Sequence, residues 1–415
     1  MWIGSNSRDL KASNRLLVRD MIRRRGPIAR YEIARETGLT ASTVTVIVAE
    51  LLEAGAILEV GHAESSGGRR PILLELNARA AYVLAVRLQR GELLVAIFDL
   101  TKNILAQRFY QLDTTWPEEV ARAIGASFEE LLQETKINRT SVFWCGAALP
   151  GLISPCTGVL ERSSNLGWVG VPVGDLIAEN IGGIPVHVEN ISNAAALAEN
   201  EYGLGRGHKH LIFINLSVGI GAGILVDGEI YGGMKGYAGE VGHMTLLIEQ
   251  GPICACRRQG CFEAVCSVRT VLEKARSLIP EDTFRQNGLA KEKLTIAHLA
   301  SSPLAACPEV QQLICETGHY IGVVVANLVS LLNPEIVILG GELSGFGSRL
   351  LAAVNAEVEK RVLEEIRRRV RVEISTMHGS APLMGAYALA LERIFSLEEW
   401  GTAKGSHVAE RQGYQ

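Results

Sequence analysis

The sequence predicts a winged helix-turn-helix domain followed by a larger α/β body. Three short helical patterns occupy the N-terminal part, and two extended runs joined by a Gly-rich basic loop come directly after them. From residue 82 onward, apolar runs of strand length alternate with helical patterns. Strands that alternate with helices indicate a largely parallel or mixed sheet with helices on its faces.

The helix-turn-helix prediction depends on periodicity and on capping residues. Apolar positions at helical spacing predict helices over residues 13–25, 31–36 and 41–54. Thr40 is placed to cap the third helix, and Gly55 stands where a C-terminal cap belongs. Two helices joined by a short Gly-containing turn form the helix-turn-helix pattern.

The wing and the body follow along the chain. Residues 57–60 and 72–76 read as two strands, and the loop between them contains Gly67-Gly68-Arg69-Arg70-Pro71. After a short joint at 77–81, strands are predicted at 82–87, 93–99, 104–113, 141–149, 186–189 and 211–216, with helices at 118–135 and 381–396. Residues 401–415 are polar and rich in small residues, which predicts a disordered tail.

Charge is distributed unevenly between the two parts. The chain has a net charge of −4, but residues 1–80 carry 12 Lys and Arg against 9 Asp and Glu, and the remainder carries 29 against 36. A basic N-terminal part on an acidic body favours a nucleic-acid-binding module attached to something else. No secretion signal is visible, and the longest apolar run, around 321–332, is too short to span a bilayer. We therefore expect a cytoplasmic protein without a membrane partner.

One short stretch carries four metal-ligand side chains: His243, Cys254, Cys256 and Cys261. A Cys3His set is a usual structural site for Zn²⁺, which prefers four soft or borderline ligands in a tetrahedron. The alternative is three buried thiols beside an ordinary core histidine. Gly and Pro interrupt this stretch, which is not typical of core patterning, so the sequence predicts structural zinc. The clustering of the cysteines also favours metal binding in a reducing cytosol over disulfides.

The same stretch resembles the signature of the ROK family, whose name stands for repressors, open reading frames and kinases. The carrying motif is Glu240-Val-Gly-His243, followed by Cys-x-Cys and by Gly260-Cys261-Phe-Glu263, with Arg257 where the family usually has glycine. The Gly-Arg-Arg-Pro wing is similar to that of ROK repressors. The resemblance implies an actin-like (ribonuclease H-like, ASKHA) body of two lobes. The expected domains are the winged unit at 1–78, a first lobe at 79–200, and a second lobe at 201–400 with the zinc motif and a closing C-terminal helix.

The winged unit suggests how DNA would be contacted. The third helix would enter the major groove with its N-terminal hydroxyl side chains, and wing arginines would reach phosphates or a narrow minor groove. The predicted DNA-contacting residues are Arg30, Thr40, Ser42, Thr43, Thr45, Arg69 and Arg70. The alternative is a helical module for protein–protein contact with a solvated basic face. The third helix contains no Lys or Arg, so affinity would come from its flanks and the wing.

The resemblance also implies a sugar site. The residues that match it are Asn165, Asn190, Glu240, His243 and Glu263. Amides and carboxylates suit sugars because each hydroxyl both donates and accepts a hydrogen bond. Zinc on one nitrogen of His243 would leave the other nitrogen free to meet a hydroxyl. For Asn165 and Asn190 alone, ordinary turn chemistry is the alternative reading.

Two departures from ROK kinases argue against phosphoryl transfer. Family kinases have an aspartate base directly after the asparagine that matches Asn190, and this chain has Ile191 there. The turn expected to hold ATP phosphates is Arg87-Leu-Gln-Arg-Gly91, with one glycine and no aspartate. The chain is therefore predicted not to be an enzyme.

The leading hypothesis is a sugar-responsive transcriptional regulator, most simply a repressor of carbohydrate-utilisation genes. It would bind operator DNA as a homodimer or homotetramer and respond to a sugar or sugar phosphate. A zinc-containing ATP-dependent sugar kinase with an added DNA-binding domain is the second hypothesis. A constitutive DNA-binding protein with a vestigial cleft is the third.

Overall fold

The computed structural model describes residues 7–62, 70–301, 303–397 and 400. Within them, a small N-terminal unit joins a body that contains two five-stranded sheets. Residues 401–415, for which a disordered tail is predicted, lie outside the described residues, as do residues 63–69 of the predicted wing.

The N-terminal unit has the predicted helix-turn-helix. Its elements are α1 (Ser7–Arg25), β1 (Ile28–Ala29), α2 (Arg30–Thr37), α3 (Ala41–Glu53), β2 (Ile57–His62) and β3 (Ile72–Leu76), and the sheet order is β1-β3-β2. Gly38 ends α2 with φ 71°, and the Thr40 hydroxyl accepts a hydrogen bond from the Thr43 amide at 3.2 Å. Gly55, with φ 69°, closes the C-terminal end of α3 as predicted. The first helix, however, begins at Ser7, earlier than the predicted residue 13.

The first lobe is built on a mixed sheet. Its elements are β4 (Tyr82–Gln89), β5 (Glu92–Asp99), β6 (Ile104–Gln111), α4 (Pro117–Thr135), β7 (Val142–Leu149), β8 (Leu152–Ile153), β9 (Leu160–Ser163), β10 (Trp168–Val171), α5 (Val173–Asn180), β11 (Val186–Asn190) and α6 (Ile191–Tyr202). The sheet order is β11-β7-β4-β5-β6, with a small β10-β9-β8 sheet beside it. Strands β11, β7 and β4 are parallel, and β5 and β6 are antiparallel to their neighbours.

The second lobe repeats this arrangement. Its elements are β12 (Leu211–Leu216), β13 (Ile220–Val226), β14 (Glu229–Ile230), α7 (Phe262–Cys266), α8 (Val268–Leu278), α9 (Glu281–Gln286), α10 (Ile296–Ser301), α11 (Pro308–Leu332), β15 (Ile336–Gly340), α12 (Ser348–Arg361), α13 (Glu364–Arg367), β16 (Arg371–Ile374) and α14 (Ala381–Ser396). The sheet order is β14-β13-β12-β15-β16, again three parallel strands followed by an antiparallel pair. This duplication confirms the actin-like, two-lobed body.

Helix α14 packs on the first lobe, although it follows the second sheet in the chain. A Cβ atom on Gly146 of β7 would lie only 1.8 Å from the carbonyl oxygen of Ala386, so strand and helix backbones are in direct contact. Ala386 and Tyr387 share a buried cluster with Ala85 and Phe98 of the sheet. The predicted closing helix is therefore present, but it covers the first sheet. The domain limits at 78 and 200 stay predictions.

The N-terminal unit shares its hydrophobic core with the body. Val18 and Ile22 of α1 and Ile47 of α3 belong to the same buried cluster as Leu391 and Ile394 of α14. Because the apolar faces of α1 and α14 are in contact, the helix-turn-helix unit is packed against the body and is not joined to it by a linker alone.

Helix α11 has the length and hydropathy of a membrane span, with 25 residues and a mean hydropathy of 1.3 over its most apolar window. The longest apolar run found in the sequence, residues 321–332, makes up less than half of this helix. In that window, 61% of the residues are buried inside the protein, and the helix packs against the second sheet's core through residues such as Leu313, Ile321 and Val325. We therefore interpret α11 as a core helix.

Candidate functional site

The four predicted metal ligands converge. The donor atoms of His243, Cys254, Cys256 and Cys261 all lie within 4.8 Å of one another. The Sγ atoms of Cys256 and Cys261 are 3.7 Å apart, and Cys254 Sγ is 3.8 Å from His243 Nδ1. Zinc–sulfur bonds of about 2.3 Å in a tetrahedron give edges of roughly 3.8 Å, so this donor set fits a zinc ion. All eight cysteines of the chain are free thiols.

The loop that carries the cysteines contains a strained residue. The Cys254 amide donates to the Arg258 carbonyl at 2.8 Å, and the Arg257 amide donates to the Cys254 carbonyl at 2.8 Å. This tight turn gives Arg257 a φ of 69°, which glycine adopts freely and which costs other L-residues roughly 1–2 kcal/mol. Arg257 thus adopts, at a conformational cost, a backbone conformation that suits glycine, the residue that the family usually has there.

The second nitrogen of His243 faces a carboxylate. Its Nε2 lies 3.8 Å from Glu240 Oε2, on the side of the ring away from Cys254. Burial raises the pKa of Glu240 above its ordinary value, although His243 acts in the opposite direction. A metal on Nδ1 would leave Nε2 facing Glu240, and both side chains line the cavity.

All five predicted sugar-binding residues line one cavity of about 850 Å³. Asn165 reaches it from the loop between β9 and β10, and Glu263 reaches it from the first turn of α7. Both approach the β12–β13 turn: a Cβ atom on Gly219 would lie 2.2 Å from Asn165 Nδ2 and 3.4 Å from Glu263 Oε2. Glycine at this position therefore allows the amide and the carboxylate to come together between the lobes.

Asn190 has features of both predicted roles, that of a local turn residue and that of a residue of the sugar site. Its Oδ1 accepts hydrogen bonds from the amides of Ser192 and Asn193 at 2.7 and 3.4 Å, which caps α6. Its Nδ2 donates to the Gly151 carbonyl at 2.9 Å. Asn190 is thus a helix cap that also borders the cavity, and its position couples the cavity wall to α6.

An apolar side chain stands directly after Asn190, at the position where the family's kinases are expected to have an aspartate base. Ile191 is 4% exposed and occupies the first position of α6. The neighbouring Glu189 is buried, and its Oε1 accepts hydrogen bonds from the Asn190 amide and from Asn193 Nδ2. Glu189 is not among the residues that line the cavity.

Four arginines at the cavity were not predicted as site residues. These exposed residues of the cavity lining are Arg90, Arg162, Arg257 and Arg258. Arg90 belongs to the degraded phosphate turn, and Arg257 is the departure from the family signature. The other two gave no sequence signal, because β9 and the cysteine loop meet only in the folded chain.

The predicted DNA-contacting hydroxyls lie together at the N-terminus of α3. Ser42 and Thr45 are exposed, and Thr40 Oγ1 lies 2.9 Å from Ser42 Oγ and 2.8 Å from Thr43 Oγ1. Val46, which the prediction omitted, is 54% exposed on the same helix. An apolar side chain beside hydroxyls suits contact with thymine methyl groups.

The predicted basic contacts have different surroundings. Arg30 pairs with Glu59 at 2.9 Å, so a DNA phosphate would have to compete with that carboxylate. Arg70 is exposed at the start of the segment that leads into β3. Arg69 lies outside the described residues.

Comparison with known proteins agrees with this architecture. The sequence model of the ROK family matches residues 83–393. A putative xylose repressor from Caldicellulosiruptor sp. (strain Rt8B.4) is 28% identical over 395 residues, which cover 94% of this chain and 98% of that protein.

Two solved structures differ in how much of this chain they cover. A ROK family transcriptional regulator, described as a homologue of the Escherichia coli Mlc protein, superposes with a TM-score of 0.79 at 26% identity and covers 95% of this chain and 100% of its own. A ROK family glucokinase from Streptomyces griseus, in complex with glucose and AMPPNP, gives a TM-score of 0.66 at 25% identity and covers 75% of this chain and 100% of its own. The match to the regulator thus extends over more of this chain than the match to the kinase.

Proposed function

Because the chain belongs to the ROK family, we propose that it is a sugar-responsive transcriptional repressor that acts on operator DNA in the cytoplasm. The observation that carries this proposal is a helix-turn-helix whose core is continuous with a two-lobed body. The cavity of that body is lined by amide, carboxylate and imidazole groups that suit sugar hydroxyls. The similarity to a protein named as a putative xylose repressor supports a role in carbohydrate utilisation.

Zinc would hold the second-lobe side of the sugar site in place. His243, Cys254, Cys256 and Cys261 would bind it, and the ion would supply a structural cross-link between the segment after β14 and the start of α7. Fixing Nδ1 of His243 orients the imidazole, so that Nε2 can meet a sugar hydroxyl. Glu263 adds a carboxylate from the same region, held by a hydrogen bond from the Ile220 amide at 2.9 Å.

Helix α6 offers a route from the cavity to the DNA-binding unit. Asn190 caps its first turn at the cavity wall. At its other end, Glu201 lies 3.5 Å from Arg23 and 3.6 Å from Arg24 of α1. A change in lobe closure that moves α6 would therefore move α1. Such coupling requires that the effector bind the two arrangements with different affinity. In a homodimer or homotetramer, the spacing of paired α3 helices would then change on a palindromic operator.

The proposal predicts that a sugar or sugar phosphate releases operator DNA and that Glu240→Gln raises the effector concentration needed for release. Loss of a hydrogen bond to a charged group removes about 1.5–3 kcal/mol, so effector affinity should fall about ten-fold or more. The operator is first selected from random duplexes with the zinc-loaded protein, and release is then followed by fluorescence anisotropy.

Glu240 lies far from α3 in the chain and in the second lobe, so the operator affinity of the variant without effector should match that of the wild type. Glu249→Gln, an exposed carboxylate beyond the cavity lining, serves as the matched control. Binding of DNA that no sugar alters would favour the constitutive protein with a vestigial cleft. Absence of any selectable DNA would refute the repressor.

We also predict no phosphoryl transfer. Wild-type protein with MgATP and hexoses should release ADP no faster than protein-free buffer, because a general base contributes about 10²–10⁴-fold and Ile191 cannot accept a proton. The Ile191→Asp variant should remain inactive, since the 87–91 turn still lacks the residues that hold phosphates in the family's kinases. Hexose-dependent ADP release by the wild type would favour the kinase hypothesis.

A further inference from the structure

Four arginines line the cavity together with four carboxylates, those of Glu92, Glu240, Glu263 and Glu342. Among the described residues, Arg90, Arg162, Arg257 and Arg258 have neither a carboxylate partner nor a side-chain hydrogen bond. Glu92 pairs instead with Arg87, which does not line the cavity, at 3.0 Å. Four unpaired guanidinium groups around one cavity favour an anionic ligand.

Three of these arginines border the sugar-binding residues from both lobes. Arg162 lies on β9, against Gly151, whose carbonyl accepts the hydrogen bond from Asn190. Arg257 and Arg258 directly follow the cysteine Cys256 in the second lobe. Arg90 belongs instead to the turn between β4 and β5, near Glu92.

The backbone of Arg257 is an independent observation. Its φ of 69° would suit glycine, yet the chain has an arginine whose side chain borders the cavity. Strained backbone is found at ligand-binding sites more often than elsewhere, which makes the Arg257 side chain a candidate ligand contact.

The acidic residues of the cavity restrict where an anion can lie. Glu240 and Glu263 surround the imidazole and the metal cluster, so a phosphate beside them would be repelled. Sugar hydroxyls suit that inner region, and a phosphate suits the arginine-rich mouth, because guanidinium groups bind phosphate oxygens in a bidentate manner. A volume of about 850 Å³ also belongs to the range of cavities that take ligands larger than a small fragment.

We propose that the effector is a phosphorylated sugar whose phosphate is bound by Arg162 from the first lobe and by Arg257 and Arg258 from the second. This inference rests on the proposed function and names the chemical class of its effector. A dianion held from both lobes offsets the repulsion between their arginines and stabilises the closed cleft.

The test is isothermal titration calorimetry on the full-length, zinc-loaded protein. The probes are hexose 6-phosphates and pentose 5-phosphates, each with its parent sugar, together with inorganic phosphate and AMP. We expect at least one sugar phosphate to bind ten-fold or more tightly than its parent. Arg257→Gly and Arg162→Ala should each weaken that sugar phosphate ten-fold or more and leave the parent sugar unchanged.

A matched control removes the same kind of residue elsewhere. Lys136 is exposed, has φ 57° at the end of α4 and does not line the cavity, so Lys136→Gly also removes one charge and relieves a left-handed backbone. It should leave both affinities unchanged. Arg257→Gly should keep its zinc and should melt no earlier than the wild type, because glycine suits that turn; this separates lost binding from lost folding.

Three outcomes would overturn the inference. If parent sugars bind as tightly as their phosphates and release the operator, the phosphate site is refuted and the proposed repressor stands. If AMP binds more tightly than every sugar phosphate, and Arg90→Ala removes that binding, the arginines serve a nucleotide. If no sugar of either kind binds, the inference and the sugar-responsive function both fail.

Discussion

Replacing Arg19 by methionine is expected to lower the melting temperature of the protein by about 6 °C. The guanidinium is 2% exposed and donates to three backbone carbonyls, at 2.7 Å to Phe395, 3.0 Å to Leu397 and 2.5 Å to Trp400. It also lies 5.5 Å from the centre of the Trp400 ring. Burial lowers the pKa of Arg19 to about 10, so the group is still a cation at neutral pH.

The expected size follows from the carbonyls that lose their donor. Hydrogen bonds to charged groups contribute about 1.5–3 kcal/mol each, and a buried carbonyl left without a donor costs about 1–3 kcal/mol. Methionine retains the apolar packing of the stem, so we expect a net loss of about 3 kcal/mol. In a large chain each kcal/mol shifts the melting temperature by roughly 2 °C. Differential scanning calorimetry measures the shift.

Arg35→Met is the matched control, because Arg35 is an exposed residue of the same unit and pairs with Glu36 at 3.1 Å. Exposed pairs contribute about 0–1 kcal/mol, so its melting temperature should be nearly unchanged. Limited proteolysis gives a second readout: cleavage after Leu397 should accelerate in Arg19→Met alone. Equal melting temperatures in both variants would show that the C-terminal segment is held to α1 by packing and not by Arg19.

Arg19 also illustrates a kind of contact that could not be predicted from the sequence. Its partners lie 376 to 381 residues away in the chain, and an arginine at an apolar helix position carries no sign of which carbonyls it will meet. The same limit applies to Arg162, whose place at the cavity depends on how β9 lies against the second lobe. Contacts between distant segments are decided by packing, and periodicity does not encode them.

Local features were predictable for the opposite reason. The helix-turn-helix followed from Thr40 and Gly55, because caps act within one turn of helix. The metal cluster followed from the spacing of His243 and the three cysteines, because one short loop brings three of the ligands together. The alternation of strands and helices indicated an α/β body. The packing of α14 on the first sheet could not be predicted from that alternation and is seen only in the structure. The sugar residues came from family resemblance, and geometry adds that Asn190 is also a cap.

The largest effect in the second lobe is expected from Cys256→Ser. This substitution removes one of four ligands from a cluster that fits zinc, so bound zinc should fall from about one per chain to nearly none. Zinc present at roughly 1,000 times its dissociation constant contributes about 4 kcal/mol, which corresponds to a loss of about 8 °C in melting temperature. Cys256 is half-buried, so serine itself creates little packing defect.

Cys315→Ser is the control, because this thiol is exposed on α11 outside the cluster. It should keep its zinc and its melting temperature. Zinc content is measured by mass spectrometry after purification without chelators. A Cys256→Ser protein that retains one zinc would place the metal elsewhere, and a wild type that never holds zinc would refute the structural site.

A second variant separates the stability of the site from its use in recognition. His243→Cys gives four cysteines, which is also a usual structural zinc set, so zinc and melting temperature should stay close to those of the wild type. The imidazole Nε2 beside Glu240 is then gone, and effector affinity should fall about ten-fold or more, as measured by operator release. Loss of zinc in this variant would mean that the geometry of the site accepts only an imidazole at the position of His243. Retention of both zinc and effector response would show that His243 is a ligand alone and that the sugar is recognised by the amides and carboxylates around it.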